Sequence, residues 1–294
     1  MRDDVSLVPS IPGVVEVDMG RGGLPRITVR NEHAECEIYQ YGAHITRFVP
    51  KGKPDLLWMS QTSLFEEGKP IRGGIPICFP WFGPHGTRAD LPLHGVARIR
   101  PWDFQYAAQL SDGRTRLALT LSDDEASRSI WPYPFRLELE ITIGRCLELT
   151  LMTENPGKAP FLYEDCLHTY LAVSHPHQCS IVGLDGVMYI DRVCEDTRKV
   201  QVGPLVLAGE TVNAYMRSPS SITIGDGNRT VRIDQRGFSS LVVWNPGSEA
   251  AARNPEINTA WNQYLCVESA NCLDGPLILG PGNAHRSTVR YSGE

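Results

Sequence analysis

The chain has 294 residues, 41% hydrophobic and 21% charged, enough to bury a substantial core as one large domain or two smaller ones. Its formal net charge is −6 and it contains no block of basic residues, which argues against general attraction to nucleic acid or to an anionic membrane. A small anionic ligand stays open, because that needs only one or two placed arginines.

The N-terminus, "MRDDVSLVPSIPGVVEV", lacks the basic start and apolar run of a signal peptide, and no later segment is apolar for long enough to span a bilayer as a helix. Residues 1–15 read as a peripheral segment. Next comes "IRGGIPICFPWFGPHG", Ile71 to Gly86, whose glycines and prolines weaken any strand or helix. It reads as a rigid, aromatic loop rather than a regular element. "LPLHGVAR" follows with His94 and Arg98. An arginine beside glycines, as at Arg72, can meet an anion together with exposed backbone N–H groups, although such an arginine also occurs on any surface turn.

From there period-two alternation dominates. "RLALTLS", "RLELEITI" and "LELTLMTEN" each place leucines and isoleucines on one face, as half-buried antiparallel strands do. Between the first two, "SDDEASRSI" suggests a helix of about two turns, capped by a Ser-x-x-Glu box at Ser122 and Glu125. In "CLHTYLAV" the same alternation puts Leu167, Leu171 and Val173 on one face and His168 and Tyr170 on the other. "HPH" at His175 and His177 hints at metal, but the proline between them and the lack of a spaced carboxylate favour a solvated turn. "SITIGDGNRTVRID" is a hairpin, "SSLVVWNPG" a strand, and "NPEINTAWNQY" a short helix. In "YLCVESA", Leu265 and Val267 share a face, while Cys266 and Glu268 point away from it. "HRSTVRYS" supplies the last strand. On a wet sheet face His168 and Glu268 would be unremarkable; in a cleft they would form an acid/base pair.

Nothing marks an internal boundary, so residues 1–294 are expected to form a single all-β domain, a sandwich of antiparallel sheets with a few short helices. The eight cysteines are scattered without a C-x-x-C pair, which suggests reduced thiols, no zinc site and a cytoplasmic setting. There is no dinucleotide fingerprint, P-loop or nucleophile elbow, so no cofactor is expected.

Taken together, "IRGGIPICFPWFGPHG" and "LPLHGVAR" resemble the signature of the hexose-6-phosphate mutarotases (glucose-6-phosphate 1-epimerases) of the aldose 1-epimerase superfamily. The likeness runs on through "WPYPFRLELEITIG", "LHTYLAV", "GLDGVMYIDR", "VVWNPG", "CVESAN" and "LGPGNAHRSTVRYS", in order from about Glu16 onward. It implies a large β-supersandwich that interconverts α and β anomers of a hexose 6-phosphate without metal or cofactor. Carried over by position, His168 is the general acid and Glu268 the general base. Arg72 and Arg98 hold the phosphate, His94 lies in the sugar site, and Asp191 matches a recurring acidic position. Trp81 is assigned to the substrate, although it, Phe79 and Phe82 could each face either the cleft or the core. Val96 replaces the family's usual phenylalanine.

On this expectation Glu268 is ionised and His168 protonated near neutral pH, each stabilising the other. The partner is a small sugar phosphate, and the chain is a monomer or a weak dimer. The rival readings are a mutarotase of unphosphorylated sugars, a non-catalytic carbohydrate-binding sandwich, and a metal enzyme using His175 and His177.

Overall fold

In the computed structural model, residues 10–217 and 219–293 are described; part of the expected peripheral segment lies outside them. The described chain is all-β, as the alternation predicts. Two eight-stranded sheets face each other, accompanied by a four-stranded sheet and a two-stranded ribbon. The first large sheet runs in the order Ser180–Val182, Ser221–Gly225, Thr230–Arg236, Ala284–Gly293, Leu147–Glu154, Arg136–Ile143, Thr115–Ser122 and Asp103–Gln109. The second runs Thr197–Val200, Met188–Asp191, Thr211–Tyr215, Ser240–Asn245, Tyr264–Asn271, Asp165–Leu167 and Ile77–Cys78, and Tyr170–Ala172 also pairs with Tyr264–Asn271. The predicted hairpin forms with Ile222 opposite Ile233 and Ile224 opposite Val231.

One hydrophobic core fills the space between the layers. Leu117, Leu119, Leu137, Leu139 and Leu149 come from one sheet, and Leu167, Leu171, Leu241, Val243, Leu265 and Val267 from the other. Each such side chain contributes about 1.5–3 kcal/mol on burial. The second sheet is also covered on its far face. There Ile190, Ala214, Val242 and Ala270 cluster with Cys78, Cys166 and Cys272, while Trp58, Tyr170, Tyr264 and Cys266 form an adjoining group. Strand Tyr264–Asn271 is consequently buried along its full length.

The four-stranded sheet, Val15–Met19, Pro25–Arg30, Ala34–Tyr39 and His44–Pro50, begins at the N-terminal end. Val15 is buried and Ile11 and Val14 pack on the core, so residues 11–15 are tied to the body of the domain.

Two local readings are corrected. Ser122 is not a helix cap: it ends a strand, and helix Glu125–Ile130 is capped by Asp124, whose carboxylate accepts from the Ser127 N–H at 2.7 Å. Asp123 keeps the chain extended past Ser122 by pairing through its backbone with Phe135, so the helix starts later. "IRGGIPICFPWFGPHG" is not wholly irregular either, since Ile77–Cys78 forms a short edge strand against Cys166 and Leu167. Among the described residues, no helix is long and apolar enough to cross a membrane.

Candidate active site

The site grows from one register. Strand Tyr264–Asn271 pairs Leu167 with Ser269 on one side of a break and Tyr170 with Cys266 on the other. Counting inward from either pair sets His168 opposite Glu268. The break falls at His168 and Thr169, where the Thr169 N–H turns back to the Leu167 carbonyl, while the His168 and Tyr170 N–H groups reach the Pro76 and Gly74 carbonyls on the other side. Alternation nevertheless survives it. Thr169 Oγ1 meets the hydroxyl of core residue Tyr291 at 2.6 Å, while His168 and Tyr170 stack on the other face with ring centroids 4.9 Å apart.

There His168 Nε2 lies 3.4 Å from Glu268 Oε1. The other carboxylate oxygen accepts from the Cys166 thiol at 3.4 Å. The wet-face alternative fails on exposure: His168 is 6% exposed and Glu268 1%. The edges of His94 and Trp244 close on the His168 ring, with centroids 5.5 and 5.6 Å away.

Burial works against the expected charges. Loss of water holds the His168 imidazole well below its ordinary pKa, with His94, Arg98 and Arg72 adding repulsion. Loss of water likewise pushes Glu268 well above the carboxylate range, against the Cys166 hydrogen bond and the pull of Arg98. Both shifts favour the neutral forms, imidazole and carboxylic acid, in the unliganded pair. It holds the same single proton as the ionised pair would, on the other partner.

The glycine-rich loop and the turn after it supply the surroundings. Arg72 extends Nη1 to the Tyr170 hydroxyl at 3.3 Å and Nη2 to Glu256 at 3.5 Å. Tyr170 and Glu256 keep its guanidinium firmly charged. Arg98 is buried and donates to the Leu93 carbonyl at 2.8 Å. The Nε atoms of both arginines are buried and have no protein partner. His94 sits at φ +63° and its Nδ1 accepts from the Gly83 N–H at 3.0 Å. Val96, where the family has phenylalanine, is buried, with its N–H on the Phe79 carbonyl.

The three aromatics of the loop now separate. Phe79 enters the core against Phe135 and Tyr163, and Phe82 meets the edge of His94. Trp81 is buried in the loop itself, donating to the Pro92 carbonyl at 3.0 Å and meeting His85 edge-on.

The structure thus gathers His168, Glu268, His94, Arg72 and Arg98. It does not bring Asp191 to them. Registers link Asp191 through Asn213 and Val243 to Val267, three strands away and on the core-facing parity of the sheet. There it binds Lys199 at 2.6 Å and caps the N–H groups of Val193 and Cys194. His175 and His177 pack on Trp261 and hydrogen-bond locally. Tyr170 and Glu256 were missed as site residues. The first was legible, because it shares the parity of His168; the second lies in a loop with no periodic signal.

Solved structures place this sandwich among galactose mutarotase-like folds. A Salmonella typhimurium structure provisionally named a mutarotase (YeaD) superposes with a TM-score of 0.89 at 26% identity, covering 98% of this chain and 96% of that one. A second, HI1317, gives 0.80 at 23% identity and covers 99% of both chains. The aldose 1-epimerase family model matches residues 25–292, and the chain belongs to that family. A Cenchrus ciliaris protein provisionally named glucose-6-phosphate 1-epimerase is 31% identical over 283 residues, covering 92% of this chain and 85% of that protein. One of the same provisional name from Escherichia coli K12 is 30% identical, covering 89% and 88%.

Proposed function

We propose that the protein interconverts the α and β anomers of a hexose 6-phosphate, glucose 6-phosphate foremost. The observation that carries this is the His168–Glu268 pair, 3.4 Å apart and almost dry, with Arg72 and Arg98 near it. Anomer exchange requires a proton to leave the C1 hydroxyl and another to reach the ring oxygen. After the ring opens, rotation about C1–C2 presents the other carbonyl face and the transfers reverse. Each positioned acid or base contributes about 10²–10⁴-fold.

A neutral resting pair, the form that burial favours, fits this chemistry because one proton shift between Glu268 and His168 generates a carboxylate base and an imidazolium acid without changing total charge. A sugar phosphate favours that shift. Its negative charge offsets the Arg72 and Arg98 fields, which otherwise oppose an imidazolium at His168. The unpartnered guanidinium Nε atoms give the phosphate donors to take up.

The test is anomer exchange followed by NMR for glucose, galactose and their 6-phosphates. Exchange should accelerate most for a 6-phosphate. Replacing Arg72 by Ala should lower kcat/KM for the phosphorylated sugar by about ten- to a hundredfold, with a smaller effect on the free sugar. Equal losses on both would make Arg72 structural, and no acceleration above buffer would leave only a sugar-binding sandwich.

A further inference from the structure

Cys266 has no part in the proton transfers, yet it stands beside them. It follows from strand parity: Cys266 and Glu268 share a face of strand Tyr264–Asn271, and the facing chain brings in His168. A His168 ring nitrogen, the Cys266 Sγ and a Glu268 carboxylate oxygen all lie within 4.8 Å of one another. Among the described residues this is the one group of three such donors in mutual reach. We propose that these three side chains form a binding site for a thiophilic divalent cation such as Zn²⁺ or Cd²⁺, and that filling it silences the acid/base pair.

The donor chemistry selects this class of ion. Zinc bonds of about 2.0–2.3 Å to nitrogen, oxygen and sulfur place tetrahedral ligands roughly 3.3–3.7 Å apart. His168 and Glu268 already meet that spacing at 3.4 Å, so the set needs to close only around Cys266. Three protein donors leave a fourth position, which water can take. Mg²⁺ and Ca²⁺ prefer all-oxygen shells and are poorly matched to imidazole and thiol.

Charge accounts for both the tightness and the pH dependence of the site. Cys266 binds as thiolate and Glu268 as carboxylate, and the two negative charges neutralise the dication. Because both ligands must be deprotonated to bind, affinity rises with pH and binding releases protons. The charged and titratable groups around the site are His94, Arg72, Arg98, Cys78, Cys166, Cys272, Tyr170, Tyr264 and Tyr291. The arginines oppose a cation, which makes two anionic ligands necessary for binding. With its lone pair and carboxylate engaged by metal, the pair can no longer move a proton to or from a sugar.

Titrating the full chain with CdCl₂ while watching the ultraviolet cadmium–thiolate charge-transfer band tests the site directly. One equivalent should develop the band and release at least one proton to a pH indicator, and MgCl₂ should do neither. Cys266→Ala and Cys266→Ser should each weaken cadmium binding at least tenfold. No band, release of fewer than one proton, or equal binding by a folded variant would overturn the site. The proton count uses only the wild-type chain, so the test survives a variant that does not fold. ZnCl₂ should also abolish anomer exchange, and metal-bound protein at full activity would overturn the silencing. A metal-free protein with no exchange activity would instead sink the mutarotase reading, while the cadmium band still decides the site.

Discussion

Glu268 is the side chain on which stability and activity pull apart. Its folded pKa is raised by burial, so its contribution to stability is present below the unfolded carboxylate pKa and is lost as pH rises through the folded value. Between the unfolded and the folded pKa the unfolded chain sheds the proton that the folded chain keeps, and this penalises folding. Glu268→Gln removes that titration and keeps an acceptor for the Cys166 thiol. The variant should therefore unfold at a higher temperature than wild type at pH 7–8, by a margin that shrinks toward pH 4. It should also lose at least about 10²-fold in kcat with little change in glucose 6-phosphate affinity. Calorimetry at two pH values and single-substrate kinetics read the two effects separately, and near wild-type turnover would remove Glu268 from the chemistry. Strand parity turned His168 and Glu268 away from the apolar set, and the family resemblance singled them out as the acid/base pair. Their protonation was not legible, because parity says which way a residue points and not how dry its surroundings are.

At the scale of elements, the site depends on how closely the Ile71–Gly86 loop and the turn carrying His94 and Arg98 lie against each other. Gly95 is the tightest point. It sits at φ +73°, and a Cβ there would overlap the Phe79 carbonyl, the acceptor for the Val96 N–H. Gly95→Ala should cost about 2 kcal/mol or more, from left-handed backbone plus displacement of the turn. In a domain of this size that lowers Tm by at least about 3 °C. Since His94 and Arg98 ride on the displaced turn, kcat/KM for glucose 6-phosphate should fall further than for free glucose. An alanine variant with unchanged Tm and selectivity would show that the turn has room to move. The sequence marked this stretch as constrained by its glycines and prolines but could not assign its rings. Phe79, Trp81 and Phe82 are all apolar, and only the position of the Ile77–Cys78 edge strand sends the first into the core. The Ser122 capping box failed for a related reason: a short polar motif fits several starts, and pairing of the preceding strand with its neighbour selects among them.

Across the whole molecule, the two-residue period made the sandwich legible, since residues of like parity from both large sheets meet in one core. What the period could not show is the cost of the polar groups the core encloses. His44, buried on strand His44–Pro50, reaches across to the loop and meets the Gly73 carbonyl through Nε2 at 2.8 Å, directly behind Arg72. Desolvation drops its pKa from 6.5 to about 3, more than offsetting the favourable Gly73 contact. A depressed histidine pKa means that the unfolded chain takes up a proton first as pH falls. Stability is therefore undiminished above pH 6.5 and declines progressively from there to about 3. At about 1.4 kcal/mol per pH unit the full loss is on the order of 4–5 kcal/mol, a large share of a typical domain's stability. His44→Asn abolishes the titration and keeps a side-chain N–H that can face the Gly73 carbonyl, although with a shorter reach. Denaturant unfolding at a series of pH values should find the variant less stable than wild type, or equal to it, at pH 7.5. The difference should then move steadily in the variant's favour below pH 6.5. A constant difference from pH 7.5 to 4 would mean that His44 titrates normally and that the wall beside Arg72 is open to water.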